Sequence, residues 1–240
     1  MVIGKLRCCL SLLTVLPVGG YCSLREAGAV AWLFPVAGLI LGAIAGAMGY
    51  LLHLFLPWSV AAGIALFFLL LLTGFHHLDG LLDLSDAAMV RGGRRMRQRV
   101  MHSPGIGAGA LGVGVMVLLV TYLALSHSSS VIKALVVAEA SAKASMLLVA
   151  YLSPPAWRGM GEEFITSLRE HRASMLLGVL VYLVILLPLT GTGSIRVLIA
   201  VLVSSFLLAR FSQRIIGGVS GDVLGAANEV TRMLALVMLL

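Results

Sequence analysis

Three aspartates carry the strongest chemical signal in the chain. Asp79, Asp83 and Asp86 stand in "TGFHHLDGLLDLSD", directly after the apolar run "AAGIALFFLLLL". At about 100° per residue they fall in a helical stripe of roughly 60°; His76 joins that face, while His77 points away and is expected to tolerate replacement. A solvated helix start, where acids favour the N-terminal dipole, accounts for one aspartate. It does not account for three in register beside a histidine, with Gly80 keeping the backbone thin. Each ionisable side chain at membrane depth costs about 2.5–3.5 kcal/mol even on a lenient insertion scale. A cation among the three would offset both that cost and their mutual repulsion. Mg²⁺ suits, because it takes hard oxygen ligands and is commonly shared between one or two carboxylates and substrate phosphates. The stripe therefore predicts a metal–phosphate site.

Other charged groups surround this stripe in the sequence. "RGGRRMRQR" follows within a few residues and supplies Arg91, Arg94 and Arg95. Such arginines are ordinary neighbours of anionic lipid, and they also bind phosphate bidentately; both readings stand together. Asp222 and Glu229 are seven apart and share a helical face, with Gly225 and Ala226 leaving room for a ligand or a facing helix. Glu139 and Lys143, an i,i+4 pair in an apolar run, neutralise each other. Glu26 is read as interfacial. His53, His127 and His171 sit at span ends, so His76 and His102 are the better chemical candidates. "GIGAG" resembles a phosphate loop only superficially, since it has neither a preceding strand nor a following lysine.

The elements that position these groups must be membrane helices. The 240 residues are 60% hydrophobic and 11% charged, with a mean hydropathy of +1.07, against about half and a quarter in soluble domains. The fold class expected is an all-α, polytopic helical bundle forming a single membrane-embedded catalytic domain over residues 1–240. Runs of roughly 17–25 apolar residues predict spans at Ala27–His53, Trp58–Thr73, Ile106–Ser126, Val131–Leu152, Ala173–Leu189, Ile195–Phe211 and Val223–Leu240. That gives about seven transmembrane helices, or six plus a re-entrant C-terminal helix, since Asn228, Glu229 and Arg232 need protein around them. Lys5 and Arg7 before Cys8–Val18 have the look of a secretory leader. With no soluble domain following, a short interfacial N-terminal helix is the better expectation. Arginines fall in alternate connections, which places the N-terminus and the charged loops in the cytoplasm. The net charge of +7 follows from that bias and suits phosphate-bearing ligands. Gly38, Gly42 and Gly46 recur every four residues and predict close helix packing. Cys8, Cys9 and Cys22 are read as free thiols, adjacent Cys8 and Cys9 being poor disulfide partners.

These motifs together resemble the cobalamin synthase family, the membrane adenosylcobinamide-GDP ribazoletransferases. The resemblance rests on "TGFHHLDGLLDLSDA" with "MVRG" after it, "CLSLLTVLPV", "FPVAGLILGA", "PPAWRGMGEEF" and "GDVLGAANEV", in order from end to end. It implies Mg²⁺-dependent transfer of cobinamide phosphate from adenosylcobinamide-GDP to α-ribazole or its 5′-phosphate, releasing GMP. It implies metal and pyrophosphate roles for Asp79, Asp83 and Asp86, and a base or phosphate contact at His76. Substrate contacts are implied at Arg91, Arg94, Arg95, Asp222 and Glu229. Partners would be the two substrates and the lipid bilayer, with no nucleic acid, and homo-oligomerisation stays open. The location implied is the cell membrane, with the active site facing the cytoplasm. The chain departs from the family pattern at Ser103, where an aspartate is frequent, and at Ala110, where a second spaced glycine is common. Two other classes remain. A CDP-alcohol-type phosphotransferase would carry a DG-x-x-A-R start and a second carboxylate pair, and a transporter of cations or phosphometabolites would hold its acids at the midplane.

Overall fold

The structure, a computed structural model, describes residues 2–19 and 22–240. It is all-α, as the hydropathy pattern requires. In chain order the helices are α1 (Val2–Leu13), α2 (Leu24–Ala29), α3 (Phe34–His53), α4 (Trp58–Leu72), α5 (His76–Met89), α6 (Arg94–Val100), α7 (Ala108–Ser126), α8 (Val131–Leu152), α9 (Met160–Glu170), α10 (Arg172–Thr190), α11 (Ser194–Ile215) and α12 (Gly221–Met238). Short 3₁₀ turns precede α3 and join α10 to α11.

The bundle is organised around α8. Its run of alanines and serines (Ala138, Ala140, Ser141, Ala142, Ala144 and Ser145) is buried on every face. Small side chains let α3, α10, α11 and α12 all reach it. The closest approach is to α3, through the glycine ridge read from the sequence. A Cβ on Gly38 or Gly42 would strike the carbonyl oxygens of Glu139 or Leu135, and one on Gly46 would meet Ile132 Cα at 2.6 Å. The outer faces of α4, α7, α10 and α11 carry exposed large apolar residues such as Phe67, Leu111, Leu180, Val184 and Leu207. A water-soluble surface would not sustain so large an apolar area, so this is a multi-pass membrane protein.

Three expectations need revision. Among the described residues, four helical stretches are long and apolar enough to cross a bilayer, or five if the bent pair of α4 and α5 is one span: Ala31–His53, Ala108–Ser126, Val131–Leu152 and the 44-residue Arg172–Ile215 are the four. The last contains α10 and α11, 19 and 22 residues long. Trp58–Thr73 does not extend as a straight crossing: α4 has 15 residues and meets α5 at an 88° bend, made by Gly74 and Phe75, both at positive φ. Val223–Leu240 is not among those four stretches, but α12 buries Asn228, Glu229 and Arg232 inside the protein, as those residues require.

The third revision concerns the thiols. Cys8 is joined to Cys22 as a disulfide, with Cα atoms 5.1 Å apart, and only Cys9 is free and buried. Adjacent Cys8 and Cys9 indeed do not pair, but the chain returning from α1 to α2 brings a third cysteine to the first. At the start of α2, Ser23 and Glu26 form a capping box, which is what Glu26 does here.

Candidate active site

The acidic helix α5 is 14 residues long, about 21 Å, and too short to cross a bilayer. Its buried side packs on α12 and α7. Contact with α12 is backbone to backbone. A Cβ on Gly80 would lie 2.5 Å from the Asp222 carbonyl oxygen, and one on Gly225 would lie 2.9 Å from that of His77. The space that Gly225 leaves is therefore filled by a facing helix, and Asp222 is drawn next to the aspartate stripe.

The other face of α5 opens on a cavity of about 370 Å³ lined by Asp79, Asp83, Asp86, His102, Ser103 and Pro104, among others. The predicted stripe is real: three carboxylates share one cavity. Burial pushes the Asp83 carboxyl up to about 6, helped by the charges of Asp79, Asp222 and Asp86, while His102 pulls the other way. Burial raises Asp222 as well, against a hydrogen bond from Ser220.

Asp86 differs from its neighbours. Its carboxylate accepts the backbone N–H groups of Gly107 and Ala110, the latter at 2.8 Å, and so closes the N-terminus of α7. "GIGAG" is a cup for an anion after all, but the anion is the protein's own side chain: a Cβ on Gly107 would fall 2.5 Å from Asp86.

Among the described residues, no three His, Cys, Asp or Glu side chains converge closely enough to hold a metal by themselves. Asp79 and Asp83 line the cavity and accept no hydrogen bond from the described residues, whereas both oxygens of Asp86 are engaged. Two open carboxylates fit a hard cation that completes its shell with water and phosphate oxygen. They do not fit a soft or tightly caged metal.

The remaining predicted residues divide. His76 is exposed and lines a separate cavity on the far side of Asp79. His77 points away from the stripe as expected, but into protein: it is 6% exposed, with Nδ1 unpartnered, so free replacement is not expected of it. Arg91, Arg94 and Arg95 are exposed and line neither cavity. Arg94 instead donates to the Gln213 carbonyl at 3.4 Å. Arg97, not singled out from the sequence, caps the C-terminus of α5 through the carbonyls of Ala87 and Ala88.

Glu229 is not brought to the site. Seven residues along α12 amount to about 10 Å, which carries it from the cavity into the core. There Arg232 donates to Glu229 and Glu139, and Lys143 donates to Glu139 and Asn228. The Glu139–Lys143 pair seen in the sequence is thus half of a four-charge cluster. His102, a chemical candidate by sequence, lines the same cavity as Asp83, its Nδ1 bonded to the Gln98 carbonyl at 2.7 Å.

Comparison with known proteins extends the picture. Residues 5–240 match the family described as cobalamin-5-phosphate synthase. The chain is 30% identical to an adenosylcobinamide-GDP ribazoletransferase of Methanococcoides burtonii, over 98% of this chain and 90% of the relative. Proteins of the same name from Halorubrum lacusprofundi and Pyrobaculum islandicum are 35% and 37% identical, covering 98% and 96% of this chain and 96% and 92% of theirs. No solved structure matches the chain significantly.

Proposed function

The chain belongs to the cobalamin-5-phosphate synthase family, and on that premise we propose that it is an adenosylcobinamide-GDP ribazoletransferase. It transfers cobinamide phosphate to α-ribazole or its 5′-phosphate and releases GMP, at the cytoplasmic side of the cell membrane. The observation that carries the reading is the single cavity in which Asp79 and Asp83 stand open beside Asp86 and His102. In the reaction a ribose hydroxyl forms an O–P bond to the cobinamide-side phosphorus. The P–O bond to the guanylate breaks, and the hydroxyl proton is given up. Such transfer needs positioning and charge neutralisation more than covalent help from protein.

Bound Mg²⁺ would supply charge neutralisation on the diphosphate, with Asp79 and Asp83 as its protein ligands. Asp86 positions the start of α7, and through it the Met101–Ala110 segment that walls the cavity. His76, which lines the neighbouring cavity together with Asp79, would accept the hydroxyl proton. Arg91, Arg94 and Arg95 lie on the exposed segment leading to that wall and attract the nucleotide portion of the donor. The test is direct: protein in lipid nanodiscs is given adenosylcobinamide-GDP, α-ribazole and Mg²⁺. GMP release is expected, and its absence from a folded sample would sink the reading.

A further inference from the structure

A second cavity, of about 390 Å³, lies across Asp79 from the first. That volume is within the roughly 300–1,000 Å³ typical of small-molecule pockets. Its walls come from seven helices and are mainly apolar: Leu13, Phe34, Met146, Phe164 and Leu224 are all buried. The rings of Phe34 and Phe164 are stacked, 5.3 Å between centroids and 17° between planes. Only one end is polar, where α5 and α12 meet and His76, His77, Asp79 and Asp222 enter the lining. No lysine or arginine lines it, so a phosphate has nothing to bind there. At the polar end His77 is buried, while His76 and Asp79 are exposed and open toward the cavity. Asp79 lines both cavities.

We propose that this second cavity receives the aromatic base of the acceptor nucleoside, with the His76 side chain as its polar contact and the ribose hydroxyl directed toward Asp79. The proposal rests on the transferase reading. A flat, uncharged heteroaromatic ring matches apolar walls closed by one polar end, whereas a lipid tail would leave His76 and both carboxylates unanswered. The geometry also separates the reactants: the diphosphate lies in the acidic cavity, the base in the apolar one, and the reacting atoms meet at the residue the two share.

The test fills the second cavity and leaves the first alone. Leu24→Trp adds bulk at the half-buried rim and Met146→Phe adds it in the wall. Binding of α-ribazole to full-length protein in nanodiscs is measured by calorimetry, with and without the donor, alongside the KM for each substrate. Each folded variant is expected to weaken α-ribazole binding and raise its KM at least tenfold, with the donor KM within twofold of the parent. Unchanged α-ribazole affinity in either folded variant overturns the proposal, as does failure of the parent protein to bind α-ribazole under both conditions. Absence of GMP release by a parent protein that binds α-ribazole, with binding lost on filling, counts against the transferase reading and still supports the cavity.

Discussion

The carboxylate of Asp86 receives the backbone N–H of Ala110 at 2.8 Å, so one member of the aspartate stripe is spent on holding the next helix. Asp83, one helical turn earlier on the same face, is open. The two aspartates should therefore fail differently when altered. Asp83→Asn is expected to abolish GMP release with no loss of thermal stability. Asp86→Ala is expected to lose stability, by about 0.5–2 kcal/mol as for other lost N-caps, and to lower turnover with it. Thermal unfolding in nanodiscs beside the GMP assay separates the two. Equal stability losses would remove the distinction.

Protonation gives a second check on Asp83. Its carboxyl is easier to protonate in the folded protein (about 6) than in the unfolded chain (3.8). Stability from this group is therefore complete below pH 3.8 and is lost as pH rises through about 6. Asp83→Asn should raise the melting temperature at pH 7.5 and leave it unchanged near pH 3.5. Divalent-cation binding has the opposite dependence, because it needs the carboxylate. Mg²⁺ affinity of the substrate-free protein should fall as pH drops below 6, and this fall should disappear in Asp83→Asn.

Gly80 and Gly112 offer a contrast between glycines of one neighbourhood. A methyl group on Gly80 would meet the backbone of Asp222, and one on Gly112 would meet nothing within 4 Å. Gly80→Ala must push α5 from α12, a strain of about 1–3 kcal/mol, and should reduce turnover at least tenfold by moving Asp222 away from Asp79 and Asp83. Gly112→Ala should match the parent in both melting temperature and rate.

The buried cluster of Glu139, Lys143, Glu229 and Arg232 balances two charges of each sign. Removing one leaves another uncompensated, at a cost of about 3–5 kcal/mol. Lys143→Met should therefore destabilise the protein strongly, while Lys143→Met with Glu229→Gln, which keeps the Glu139–Arg232 pair, should recover part of the loss. A double variant no more stable than the single would show that packing, not charge balance, governs this region.

Much of this was legible in the residues themselves. The period of Asp79, Asp83 and Asp86 announced a shared face, and the four-residue spacing of Gly38, Gly42 and Gly46 announced a close helix pair. Both are properties of one helix read alone. What escaped depended on a second element. Asp86 reads like its neighbours until α7 presents two N–H groups to it. Glu229 reads like a partner of Asp222 until depth along α12 is compared with the position of α8. Cys8 finds Cys22 only because α1 and α2 fold together. His77 looked dispensable because periodicity gives direction around a helix, not what waits on the far side.

The right-angle elbow at Gly74 and Phe75 has one more consequence. Along a helix continuing straight from α4, Asp79 and Asp86 would lie at levels about 10 Å apart on that axis. Turned by 88°, α5 sets all three carboxylates at nearly one level, like rungs laid flat as a shelf. The open carboxylates of Asp79 and Asp83 then face one cavity side by side instead of standing one above the other along the α4 axis.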